Sequence, residues 1–105
     1  MNTLILVTTT FAHKEDAERI AELLLDRNLI ACAQISGPIT SVYRWREKVT
    51  SASEYILSLK TTRQRFQILQ EILTQEHPYE LPEIIGQEIS HVSPAYYDWV
   101  CGEVQ

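Results

Sequence analysis

Residues 39–60 read ITSVYRWREKVTSASEYILSLK, two alternating runs that meet near Glu47-Lys48. Because strand side chains alternate, Ile39, Ser41, Tyr43 and Trp45 share one face of the first run. Thr40, Val42, Arg44 and Arg46 take the other. The return run alternates Tyr55, Leu57 and Leu59. This is the pattern of a β-hairpin, and it is longer than the usual strand of about 5–6 residues. A long arm projecting past the core is therefore expected. Upstream, LIACAQI at 29–35 enters the arm through Gly37-Pro38, read as a bulge or bend.

The flanking segments supply the remaining elements. TLILVTTT at 3–10 is β-branched or aliphatic throughout, as a covered strand requires. HKEDAERIAELLLDRN at 13–28 places Ala17, Ile20, Ala21 and Leu24 at helical spacing. Its acidic start and its Arg27-Asn28 end both suit the helix dipole. After the hairpin, Thr61-Thr62-Arg63-Gln64 predicts a capping box with Thr61 as N-cap. Phe66, Leu69, Ile72 and Leu73 then form an apolar stripe to about Glu76. HPYELP leads into a short strand, EIIGQEI, and Ser93-Pro94 starts a closing helix, AYYDWVC.

The order is β-α-β-β-α-β plus a C-terminal helix, all within a single domain spanning 1–105. With right-handed crossovers this predicts an α+β, ferredoxin-like split β-α-β sandwich, two helices covering one face of four antiparallel strands. Tyr43, Trp45, Tyr55 and Leu57 are too apolar to remain on an open arm. A 105-residue chain has too little left over to cover them, so partner subunits are expected to do so.

Composition removes several function classes. An apolar fraction of 45% and a charged fraction of 22% are ordinary for a globular domain. No apolar run approaches the roughly 20 residues of a membrane span, and the start lacks the marks of a signal peptide. A net charge of −5 opposes a nonspecific grip on nucleic acid or anionic membrane. The element order is shared with RRM domains, but nothing resembles their RNP1 pattern. Cys32 and Cys101 match no metal or redox spacing and read as small buried hydrophobes, so a reduced, cytoplasmic setting is expected.

Chemistry concentrates in TQEHPYELPEIIG, residues 74–86. Pro78 and Pro82 fix two φ angles and favour extended neighbours, which makes this segment a stiff helix-to-strand connector. The functional reading makes His77 a metal ligand or an acid–base group, with Tyr79 or Glu83 beside it. A lone histidine is a poor metal site, since transition metals take three or four converging ligands. His13 and His91 read as capping or surface groups. Arg44, Arg46 and Lys48 form a basic cluster at the hairpin tip, either a guard against strand pairing or an anion contact. There is no GxGxxG, P-loop, HExxH or GxSxG.

Taken together, ACAQISGPITSVYRWREKV, LSLKTT, HPYELPEII and YYDWV, in that order, resemble the CutA family of divalent-cation tolerance proteins. The resemblance implies a tight homotrimer, similar in architecture to PII signalling proteins, with each hairpin extending a neighbour's sheet. Tyr43, Trp45 and Tyr55 would lie at the interface. It also implies a role in tolerance to copper and other divalent ions, with no catalytic residues and no required cofactor. Members credited with copper carry a cysteine near the end of the first strand and paired histidines before the Pro-Tyr. Here a hydroxyl stands at about Thr8, and the pair is Glu76-His77. The candidate metal ligands are then His77 and Glu76, suited to copper or zinc as a divalent ion rather than to soft Cu(I). Three rival readings stay open. They are a PII-like sensor holding a small anion or metabolite between subunits, a trimeric scaffold for a protein partner, and a hydrolase using Tyr79, His77 and Glu83.

Overall fold

The computed structural model describes residues 2–105. Its elements are β1 (Leu4–Phe11), α1 (Lys14–Asp26), β2 (Cys32–Trp45), β3 (Lys48–Thr62), α2 (Arg63–Glu76), β4 (Ile85–Glu88) and α3 (Pro94–Glu103). The strands form one antiparallel sheet in the order β2-β3-β1-β4. This is the ferredoxin-like sandwich expected from the element order.

The core follows from strand alternation meeting helical stripes. Ile5, Val7 and Phe11 of β1 and Leu57 and Leu59 of β3 are buried against Ala17, Ile20, Ala21 and Leu24 of α1 and Leu69 and Leu73 of α2. A smaller cluster, Leu4, Ala31 and Val100, anchors α3 to the other part of the molecule. Leu57 was expected on the uncovered face with Tyr43 and Trp45, and the structure corrects that. In β3, Leu57 keeps the phase of Leu59 and is fully buried in the helix-covered core. Tyr55 shares that phase and pairs with Phe11, whereas Tyr43 pairs with Thr50 and so lies on the opposite face.

β2 and β3 run 14 and 15 residues, and the arm draws the molecule out to 44 × 26 × 22 Å. A register shift between Ser36 and Ile39 marks the bulge at Gly37-Pro38. The arm closes one residue earlier than the sequence pattern suggested. Trp45 pairs with Lys48, leaving Arg46 and Glu47 as a two-residue loop with φ of 49° and 70°. Both values are positive, as a loop matching the right-handed strand twist needs, although neither residue is glycine.

The capping box is also corrected. Thr62, not Thr61, is the N-cap of α2, and it makes no side-chain cap bond. Thr61 is still in the strand and wholly buried, where its hydroxyl donates to the Leu29 carbonyl at 2.7 Å. It ties the β3 end to the loop entering β2. The Ser93 cap of α3 forms as expected, accepting from the Tyr96 amide.

Candidate functional site

The connection after α2 folds back over the end of β1, and the prolines explain how. Pro78 disfavours helical backbone at His77, which is extended at φ −72°, ψ 135° and ends the helix. The imidazole is thereby laid flat on Phe11, with ring centroids 4.2 Å apart and planes within 10°. It is a buried side chain, only 7% exposed.

Both ring nitrogens of His77 are committed. Nδ1 lies 3.1 Å from the Tyr79 amide, whose N–H can only donate, so Nδ1 is the acceptor. Nε2 therefore carries the proton and donates to the Thr10 carbonyl at 2.9 Å, with Thr9 Oγ1 at 3.2 Å. Burial pushes the His77 pKa below its ordinary value, with the Thr10 carbonyl and the charges of Asp16 and Glu54 opposing. The ring is accordingly neutral at physiological pH.

This geometry bears on the metal expectation. The one lone pair of neutral His77 is occupied by the Tyr79 amide. Glu76 points its carboxylate to Arg19, at 3.2 Å, and Arg19 also donates to the Glu76 carbonyl. Among the described residues no three His, Cys, Asp or Glu groups converge. Within one chain, His77 and Glu76 therefore supply no three-ligand site for a divalent ion. The β1 residue facing the imidazole is Thr9 rather than Thr8. Thr9 is buried, while Thr8 alternates away and pairs with Ser58 and Ile85.

Beside the histidine runs a groove of about 1080 Å³, between the arm and the connection. Ser41, Tyr43 and Trp45 of β2 and Ala52 and Glu54 of β3 face it across from Tyr79 and Leu81. The Tyr79 hydroxyl donates to Glu54 Oε2 at 2.7 Å. Glu54 is 8% exposed. Burial alone would raise its pKa, but hydrogen bonds from Tyr79, Ser41 and Thr10 outweigh it and hold the carboxyl below its ordinary value. Tyr79 is pushed well above the usual phenol range by burial and by the Glu54 carboxylate. The hydrolytic grouping is not joined by side-chain hydrogen bonds: the Tyr79 hydroxyl donates to Glu54, while His77 accepts from the Tyr79 amide and meets the Tyr79 ring in a tilted contact with centroids 4.9 Å apart. His13 is the α1 N-cap without a side-chain bond, and His91 bonds Ser90 at the surface.

Glu54 was not singled out from the sequence. The available signal was a lone acid inside a strand run, where carboxylates are depleted.

Residues 5–103 match the family model for the CutA1 divalent ion tolerance protein. This chain belongs to that family. A probable divalent-cation tolerance protein cutA homolog of Encephalitozoon cuniculi is 42% identical over 94 residues, covering 90% of this chain and 82% of that one. The divalent-cation tolerance protein CutA of Thermus thermophilus is 37% identical over 94 residues, covering 90% and 91%. Among solved structures, CutA1 from Ehrlichia chaffeensis superposes with a TM-score of 0.93 at 36% identity, covering 98% of this chain and 96% of that one. CutA1 from Oryza sativa gives 0.94 at 31%, covering 98% and 94%. The arm, the bulge and the groove thus lie within a region matched along its whole length by CutA relatives.

Proposed function

We propose that this chain serves divalent-ion tolerance in the cytoplasm as a non-catalytic homotrimer, and does so without an ion seated at His77 and Glu76. The observation that carries the assembly is the arm itself. β2 is an edge strand of 14 residues with an open outer side. Around it Val42 is 67% and Val49 69% exposed, and α3 leaves Tyr96 and Trp99 at the surface. A long bare edge flanked by apolar side chains is an association surface unless something covers it. A second and third copy supply matching surfaces, and closed symmetry leaves no copy with a free edge.

Light scattering at micromolar subunit concentration is expected to give three times the 12.1 kDa chain mass. A monomer at that concentration would defeat the reading. Calorimetric titration of chelator-stripped protein with Cu(II) and Zn(II) tests the second half. Wild type and His77→Ala should give the same weak isotherm, because the wild-type lone pair is already used. A saturable micromolar site lost only in His77→Ala would restore the metal assignment at this connection.

The reading as a small-anion sensor is not favoured by the groove. Its charged lining residues are Glu54, Glu80 and Glu83, all of one sign.

A further inference from the structure

The arm leaves the body of the sheet at a definite level. β1 accompanies β3 only as far as Phe11, which pairs with Tyr55, so residues 48–54 run on with β2 alone beside them. Six residue steps make this overhang about 20 Å at roughly 3.3 Å per residue. A two-stranded ribbon is marginal by itself. The bulge at Gly37-Pro38 lies opposite Tyr55, so a bend is built in at the same level.

Glu54 is the first residue of the overhang, paired with Ile39 just past the bulge, and it is more than nine-tenths buried. Its carboxylate gathers hydroxyls from three segments. Tyr79 of the connection donates at 2.7 Å, joined by Ser41 from the outgoing strand and Thr10 from the end of β1. An ionised carboxylate only accepts, so all three can donate to it at once. Such charge-assisted bonds are stronger than neutral ones. At the outer end the arm has a weaker hold, because the Arg46–Glu80 pair is exposed on both sides.

This placement gives Glu54 leverage over the far end of the arm. A tilt of about 10° at the root carries the tip of a 20 Å arm about 3–4 Å sideways. A gap of about 0.5–1 Å already forfeits a quarter to a half of a packing contact. We propose that Glu54 is the positioning residue of the homotrimer, its carboxylate fixing the angle of the arm and thereby the fit of Tyr43 and Trp45 against the next copy. The inference rests on the trimer reading. Glu54 has almost no surface left for a partner, so its effect on assembly passes through the arm.

A dilution series by light scattering tests this on wild type, Glu54→Gln and Thr61→Val. Glutamine keeps the shape but brings an amide that donates, so the three hydroxyls can no longer all point to it. The subunit concentration at half-assembly should rise at least tenfold in Glu54→Gln. Thr61→Val removes a buried hydrogen bond at the other end of β3, and should stay within threefold of wild type. Hydrogen exchange on assembled samples supplies the second readout. In Glu54→Gln, amides at 39–53 should exchange at least tenfold faster, with those at 4–10 and 56–60 unchanged. Tyr79→Phe removes one donor and keeps the ring, so a smaller change in the same direction is expected, and it carries the test should Glu54→Gln not fold. Wild-type assembly and arm exchange in both variants would overturn the role. So would an equal loss of assembly in Thr61→Val, which would reduce the effect to general destabilisation. A wild-type monomer refutes the trimer reading and this role together, whereas a wild-type trimer indifferent to Glu54→Gln and Tyr79→Phe refutes the role alone.

Discussion

Replacing His77 by alanine removes a group whose contacts are nearly all structural. The stacked pair with Phe11 is worth about 0.5–1.5 kcal/mol beyond burial. The Tyr79 amide and the Thr10 carbonyl each lose a partner, at about 1–3 kcal/mol for a buried group left unmatched. The cavity under the connection adds to this, although water entering from the groove offsets part of it. The total is about 3–5 kcal/mol, in line with other buried aromatic truncations. His77→Phe keeps the stack and fills the site but leaves the same two groups unmatched, so it should lose less than alanine, about 2–4 kcal/mol. Guanidinium unfolding at pH 7.5, at fixed subunit concentration because assembly contributes to stability, gives both values. If His77→Ala unfolds within 1 kcal/mol of wild type with the same slope, the reading of this histidine as an architectural group is wrong.

The same residue sets a pH dependence. Its folded pKa lies below the unfolded value of about 6.5. Below pH 6.5 the unfolded chain therefore binds a proton that the folded one refuses. Stability should fall as pH drops from about 6.5 towards the folded pKa, by at most about 1.4 kcal/mol per pH unit. Denaturation of wild type and His77→Phe between pH 7.5 and 5 measures it, and a slope shared by both would remove His77 as its source. Thr61→Val orphans the buried Leu29 carbonyl and should cost about 1–3 kcal/mol, with Thr61→Ser retaining most of that. Gly37→Ala places a methyl 2.9 Å from the Tyr55 ring and 3.0 Å from the Glu54 carbonyl at a φ of +142°. A loss of about 1–3 kcal/mol in thermal or chemical unfolding is expected, and a neutral result would mean the bulge relaxes freely.

Alternation and helical spacing along the chain were sufficient for the element order, because each signal is local. Ala17, Ile20, Ala21 and Leu24 lie within two turns, and Leu57 and Leu59 lie within one strand. The same reasoning failed where phase had to be carried around the hairpin loop. Tyr43 and Tyr55 look equivalent in the sequence, yet the pairing of Trp45 with Lys48 sets Tyr43 opposite Thr50, five residues from Tyr55 on the same strand, and so puts them on opposite faces. Thr61 offered a cap by spacing, but the strand extends through it, and a buried carbonyl 32 positions away is its partner.

The candidate site divides along the same line. The sequence by itself determined that a proline-stiffened turn would present His77 and Tyr79 after a helix, and it carried enough motif order to indicate the family. Only the tertiary structure decided what those residues do. It brought Thr9 and Thr10, 68 and 67 positions away, onto the imidazole, and Glu54 onto the phenol. A lone pair is available to a ligand or already spent according to which donor reaches it, and that depends on chain segments brought together by the sheet. No local pattern can encode it.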